Sequence, residues 1–207
     1  MARLYLMRHG QTEYNLRGLV QGRCDSPLTP AGIEQARTAG AWLAGERASL
    51  ARICSSPLSR ALETARIVRG ELMRAHAADL AHVPFPPQVE ETSGIIERSF
   101  GSFEGGPKEL VPTDLWDPGE EVEPFGGEGS RTLRVRMVTA LTELMEGADA
   151  GDVLAVSHGS ASLQFKLAWE GLARCPQDVP IGNCCIMVFG FDPAARTFAC
   201  ERIVNQG

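Results

Sequence analysis

The chain opens with a short apolar run, Arg3 to Arg8, that predicts a β-strand. A polar, glycine-rich loop follows from Gly10 to Leu28. Thr29-Pro30 then opens a helix, with Thr as N-cap and Pro in the first turn. Its inward face is Ile33, Ala36, Gly40 and Leu43, at helical spacing. A second strand, Ala51 to Ser55, ends in Ser56-Pro57, read again as an N-cap and first-turn proline. The helix after it carries Leu58, Ala61, Leu62, Ala65, Ile67 and Val68 and runs to about Ala75.

The pattern changes over residues 84 to 129, which hold seven of the thirteen prolines and eight glycines, with many acids. This segment reads as a loop-rich cap with a short helical turn near Lys108; loops of this length are commonly functional. Helical periodicity resumes at Ser130, with Leu133, Met137, Leu141 and Leu144 on one face. A strand at Val153 to Val156, a helix from about Ser160 to Leu172, and strands at Cys184 to Phe191 and Thr197 to Ile203 complete the order, the last two joined as a hairpin. The sequence β-α-β-α, cap, α-β-α-β-β predicts one domain over residues 1–207. Its class is α/β, a three-layer α/β/α sandwich whose sheet is mostly parallel with an antiparallel edge.

Three strand ends carry chemistry. The first ends in Arg8-His9-Gly10, the second leads to Arg60 in the first turn of a helix, and the third ends in His158-Gly159. In open α/β sheets, ligands bind beyond the carboxyl ends of the strands. Helix N-termini there present free N–H groups and the positive end of a dipole. Two Arg, two His and two helix starts at one edge describe a phosphate site. A neutral imidazole at His9 can attack phosphorus, while Arg8, Arg60 and His158 hold the equatorial oxygens. The leaving alcohol needs a proton, and Glu97 is the candidate acid, with Glu104 close by.

Composition narrows the partners. The formal net charge of −6 argues against nucleic acid as a bulk electrostatic partner. No apolar stretch approaches a membrane span and no signal-peptide pattern is evident, so a cytoplasmic protein is expected. The six cysteines show no C-x-x-C pair and are expected to be reduced and mostly core; Cys184 and Cys185 should face opposite sides of the sheet. His76 and His82 are expected to face solvent, and Trp42, Met137 and Trp169 to fill core.

The motifs Arg8-His9-Gly10-x-Thr12-x-x-Asn15, Gln21-Gly22 with Asp25-x-Pro27-Leu28-Thr29, Ser55-Ser-Pro-Leu-Ser-Arg60-Ala61-x-x-Thr64-Ala65, Glu97-x-x-Phe100-Gly101-x-x-Glu104-Gly105, Gly127-Glu128 and Ser157-His158-Gly159 occur in one order along the chain. Together they resemble the histidine phosphatase superfamily, which includes cofactor-dependent phosphoglycerate mutases and small-molecule phosphatases. The resemblance implies His9 as phosphorylated nucleophile, Arg8, Arg60 and His158 as phosphate pocket, Glu97 as proton donor, and no metal. Asn15, Gln21, Gly22 and Gly159 are expected to line the pocket. Phe103 stands where the family often has Trp, Gly129 intervenes before Ser130, and Leu163 stands where many relatives carry a basic residue.

The expected activity is hydrolysis of a small-molecule phosphomonoester, with no resident cofactor; oligomeric state stays open. The rival is a 2,3-bisphosphoglycerate-dependent phosphoglycerate mutase, disfavoured because Lys108 is the lone basic residue between Arg98 and Arg131. A non-catalytic phosphate-binding module is a third reading. A serine hydrolase is disfavoured because Ala155-Val-Ser157-His-Gly159 lacks the first glycine of the nucleophile elbow. A metal site on the two histidines is disfavoured because Arg8 would repel a cation.

Overall fold

The computed structural model describes residues 2–80 and 82–205. Strands β1 (Arg3–Arg8), β2 (Leu50–Ser55), β3 (Val89–Glu91), β4 (Asp152–Ser157), β5 (Ile186–Asp192) and β6 (Thr197–Val204) form one sheet in the order β3-β2-β4-β1-β5-β6. The first four strands run parallel, as expected. The antiparallel edge is the β5–β6 hairpin: β5 opposes both β1 and β6, so the reversed strand lies one place in from the edge.

Period-two alternation decides which layer each side chain joins. Leu4 and Leu6 of β1 pack into one core cluster with Val153 and Ala155, while Tyr5 and Met7 join the other with Leu154 and Val156. Helices α2 (Pro30–Gly45) and α3 (Ser59–Ala78) cover the second face through Ala36, Leu43, Ala61 and Val68. Helices α4 (Ser130–Glu146) and α5 (Gly159–Ala168) cover the first through Leu133, Met137 and Phe165. Each large apolar side chain so buried contributes about 1.5–3 kcal/mol. Cys184 and Cys185 do fall on opposite faces, but just before β5 rather than inside it.

Two elements escape the sequence pattern. A five-residue helix α1 (Glu13–Arg17) lies in the first loop, started by a capping box in which Thr12 and Asn15 satisfy each other's backbone N–H. Strand β3 takes residues 89–91 out of the segment read as cap and adds them to the sheet beside β2. Beyond it the cap is built from short 3-10 turns, one of them at Lys108–Leu110. Thr29 caps α2 as expected, through Gly32 N–H. Ser56 does not cap α3, whose N-cap residue is Leu58. Its hydroxyl is engaged elsewhere. His82 is exposed, whereas His76 is half-buried with Nδ1 2.6 Å from Val83 O. Among the described residues no helix is long and apolar enough to cross a membrane.

Candidate active site

β1 and β4 are adjacent and in register, with Arg8 opposite Ser157. His9 and His158, each one residue past its strand, are therefore brought together. Their ring centroids lie 5.2 Å apart. His9 is 2% exposed and His158 fully buried. The His9 ring is fixed by a hydrogen bond from Nδ1 to the Gly10 carbonyl at 2.7 Å, which puts its proton on Nδ1 and leaves the Nε2 lone pair unengaged. Burial first, then the charges of Arg60 and Arg8, push its pKa well below the ordinary imidazole value. His158 is shifted the same way by burial, Arg60, His9 and Arg8. Both rings are thus neutral at neutral pH.

Ser56 orients the second histidine. Its hydroxyl accepts from Leu58 N–H (3.4 Å) and lies 2.7 Å from His158 Nε2. Donation from the hydroxyl to Nε2 places the imidazole proton on Nδ1, which is buried without a hydrogen-bond partner among the described residues. The sequence reading missed this role because Ser-Pro before a helix is also a capping signal.

The two arginines are anchored by backbone carbonyls. Arg60 donates to Cys24 O (2.7 Å) and Gly22 O (2.6 Å), and Arg8 to Ile181 O (2.9 Å). In both, Nε is buried with no hydrogen-bond partner among the described residues. Burial lowers the Arg8 pKa and pushes that of Arg60 down to about 10, still far above neutrality. Unpaired buried cationic donors are costly unless an anion joins them. These donors, with His158 Nδ1, favour an anion between them.

Asn15 and Gln21 line the same cleft. Asn15 Oδ1 accepts from Thr12 N–H and Asn183 Nδ2, and Gln21 Oε1 accepts from Thr12 Oγ1. The amide oxygens are taken, so the amide nitrogens are what each offers to a ligand. Gly22 and Gly159 also line it. Gly22 has φ +50° and supplies the carbonyl that holds Arg60. At Gly159 a Cβ would lie 2.7 Å from the Trp116 ring, so glycine here admits that indole.

The cap brings Glu97, Phe100, Leu115 and Trp116 over the cleft. Glu97 is 7% exposed. Its Oε1 accepts from Arg98 N–H (2.8 Å) and Ala161 N–H (2.9 Å), and Oε2 from Ser160 N–H (3.2 Å). The N-terminus of α5 therefore holds the carboxylate in place. Glu104, the other acid considered, turns away and accepts from Phe100 N–H. Arg136, overlooked in the sequence, makes a two-pronged ion pair with Glu128 and donates to the Gly94 and Ile96 carbonyls. It ties the Glu97 segment to α4. Trp116 was also missed: a lone indole amid acids and prolines carries no periodic signal. Its ring faces the Arg8 guanidinium at 5.0 Å.

Solved structures share this architecture. Bacillus stearothermophilus YhfR superposes with a TM-score of 0.76 at 27% identity, covering 97% of this chain and 96% of that one. A variant of phosphoserine phosphatase from Entamoeba histolytica, solved in complex with phosphoserine, gives a TM-score of 0.74 at 27% identity, covering 100% and 98%. A 2,3-bisphosphoglycerate-dependent phosphoglycerate mutase from Methylobacterium radiotolerans is 29% identical over an alignment 217 positions long, covering 98% of this chain and 95% of that protein. A profile of the histidine phosphatase superfamily (branch 1) matches residues 4–204, nearly end to end, and the chain belongs to that superfamily.

Proposed function

We propose that the protein is a phosphatase that hydrolyses a small phosphomonoester through a phosphohistidine on His9, without a metal. Nε2 of His9 attacks phosphorus as the P–O bond to the alcohol breaks, and Glu97 passes its proton to the departing oxygen. Water then attacks the phosphohistidine, Glu97 takes a proton from it, and phosphate leaves with His9 regenerated. Arg8, Arg60 and His158 Nδ1–H hold the equatorial oxygens, so positive charge is present without a cation bound to the substrate. Asn15 and Gln21 offer further donors to the same group.

The observation that carries hydrolysis over isomerisation is the character of the cap. Among the described residues, those it turns toward the cleft are Glu97 and the apolar Phe100, Leu115 and Trp116. Lys108 is exposed and does not line the cleft. A bisphosphorylated, carboxylated intermediate held between turnovers requires cap cations. Sequence relatives named as phosphoglycerate mutases keep the isomerase reading in view. A non-catalytic role fits less well, because an unengaged His9 Nε2 and Glu97 share one cleft.

One preparation assayed side by side decides between them. Phosphate release from phosphomonoesters is expected to exceed interconversion of 3- and 2-phosphoglycerate, with or without 2,3-bisphosphoglycerate, and to survive chelators. Isomerisation that bisphosphoglycerate raises well above hydrolysis would overturn the reading.

A further inference from the structure

The catalytic cleft encloses only about 70 Å³. A phosphoryl group takes up much of that space. A much larger groove, about 460 Å³, lies against it, and the two share Arg8 and Trp116 as lining. Helix α5 runs from one to the other. Its first residues, Gly159 and Ser160, line the cleft, while Leu163 and Lys166 line the groove. Positions 159, 163 and 166 share one helix face at i, i+4 and i+7.

The groove is apolar in its walls, and among the described residues none offers it a cation ready for a second anion. Trp116, Leu163, Val179, Pro180 and Ile181 line it. Lys166, 5% exposed, directs its ammonium to Gln177 O at 2.6 Å. Arg8 uses one prong on Ile181 O and faces the Trp116 ring. Among the described residues, the charged group left at the rim is Asp178, an exposed acid that would repel a carboxylate or phosphate.

The in-line path places this groove downstream of the reaction. A group leaving phosphorus departs on the side away from His9, toward Glu97. Glu97 is bonded to Ser160 N–H, and Ser160 Oγ donates to the Trp116 carbonyl at 3.1 Å. The alcohol is therefore released beside Trp116, at the entrance to the groove.

We propose that this groove is the alcohol subsite, and that the substrates are monophosphates of largely apolar alcohols rather than of acids or amino acids. Trp116 separates the two halves: its ring backs Arg8 on the phosphoryl side and offers an apolar face to the alcohol. This rests on the phosphatase reading above, and the test separates the two.

Specificity constants are measured for ethyl, butyl and hexyl phosphate, phosphoserine and p-nitrophenyl phosphate. Each buried methylene should raise kcat/KM by roughly threefold, so hexyl phosphate should exceed ethyl phosphate by at least about tenfold even with partial burial. Hexyl phosphate should also exceed phosphoserine. Leu163→Lys, and separately Val179→Glu, should each collapse the hexyl-to-ethyl ratio toward one, whereas general damage lowers both rates together and leaves the ratio. Hydrolysis of p-nitrophenyl phosphate with no chain-length dependence, or a ratio unchanged in both variants, overturns the alcohol subsite and leaves the phosphatase. No phosphate release from any of these esters overturns both.

Discussion

On the floor of the cleft, Arg8, His9 and His158 hang from the ends of two adjacent parallel strands whose side chains are buried on both faces. Over it, Glu97, Phe100 and Trp116 come from bends and 3-10 turns with few ladder hydrogen bonds. The floor is held by apolar packing and backbone pairing. The roof is held by side-chain ties: Arg98 to Glu128 O and Ser130 Oγ, Arg136 to Glu128, Gly94 and Ile96, and Ser160 to Trp116 O. The contrast assigns distinct tasks. On the mechanism proposed above, covalent chemistry and phosphate binding sit on the strand ends, while proton delivery sits on the cap.

The strongest test of that division pairs one residue from each side. His9→Ala should remove turnover of every ester, by roughly 10⁴-fold or more, because no other group takes the phosphoryl. Glu97→Gln should cost about 10²–10⁴-fold on alkyl phosphates, the usual worth of a general acid, and far less on p-nitrophenyl phosphate, whose leaving group needs no proton. Steady-state rates on both ester types check this. Equal losses on both in Glu97→Gln would deny it the proton-donor role.

A smaller effect should follow from loosening the roof alone. Arg136→Met leaves Glu97 in the chain but removes the ties to Glu128, Gly94 and Ile96. Misplacing the acid by an ångström should slow alkyl phosphate hydrolysis roughly 10- to 100-fold. Aryl phosphates, and phosphorylation of His9 by them, should be affected less. If both ester types fall together, Arg136 supports the floor as well and the division is drawn in the wrong place.

The smallest effect concerns the floor and pH. The folded pKa values of His9 and His158 are depressed, by burial above all and then by Arg60 and its neighbours. Below the unfolded value of about 6.5, the unfolded chain takes up protons that the folded chain refuses. Stability from these groups is complete above that pH and is lost as pH falls toward the folded values. The urea midpoint should therefore drop between about pH 7.5 and about pH 5, and a His9→Gln/His158→Gln variant should drop less. An identical drop in both proteins would mean that other groups carry the acid sensitivity.

The sequence alone specified the features that local physics controls. Arg3 to Arg8 reads as a strand because its apolar run is short and bounded, and Thr29-Pro30 reads as a helix start because a cap and a fixed φ act within one turn. His9, Arg60 and His158 were legible for the same reason, since each sits where a strand gives way to a helix or loop. Their convergence was implied by the strand-end rule for α/β sheets. Helix α1 and strand β3 were not legible. One is a single turn whose capping box involves Asn15 rather than Glu or Gln, and the other is three residues whose strand character comes from pairing with β2. Ser56, Asn183, Trp116 and Arg136 were decided by tertiary structure. Ser56 meets His158 across 102 positions, and Asn183 meets the carbonyl of His9 across 174. Arg136 meets Ile96 across 40. Periodicity and capping report on neighbours within a few residues, whereas these contacts exist only once the sheet has brought distant segments to one edge. The alcohol groove belongs with them, because its walls come from the cap, from α5 and from the segment before β5.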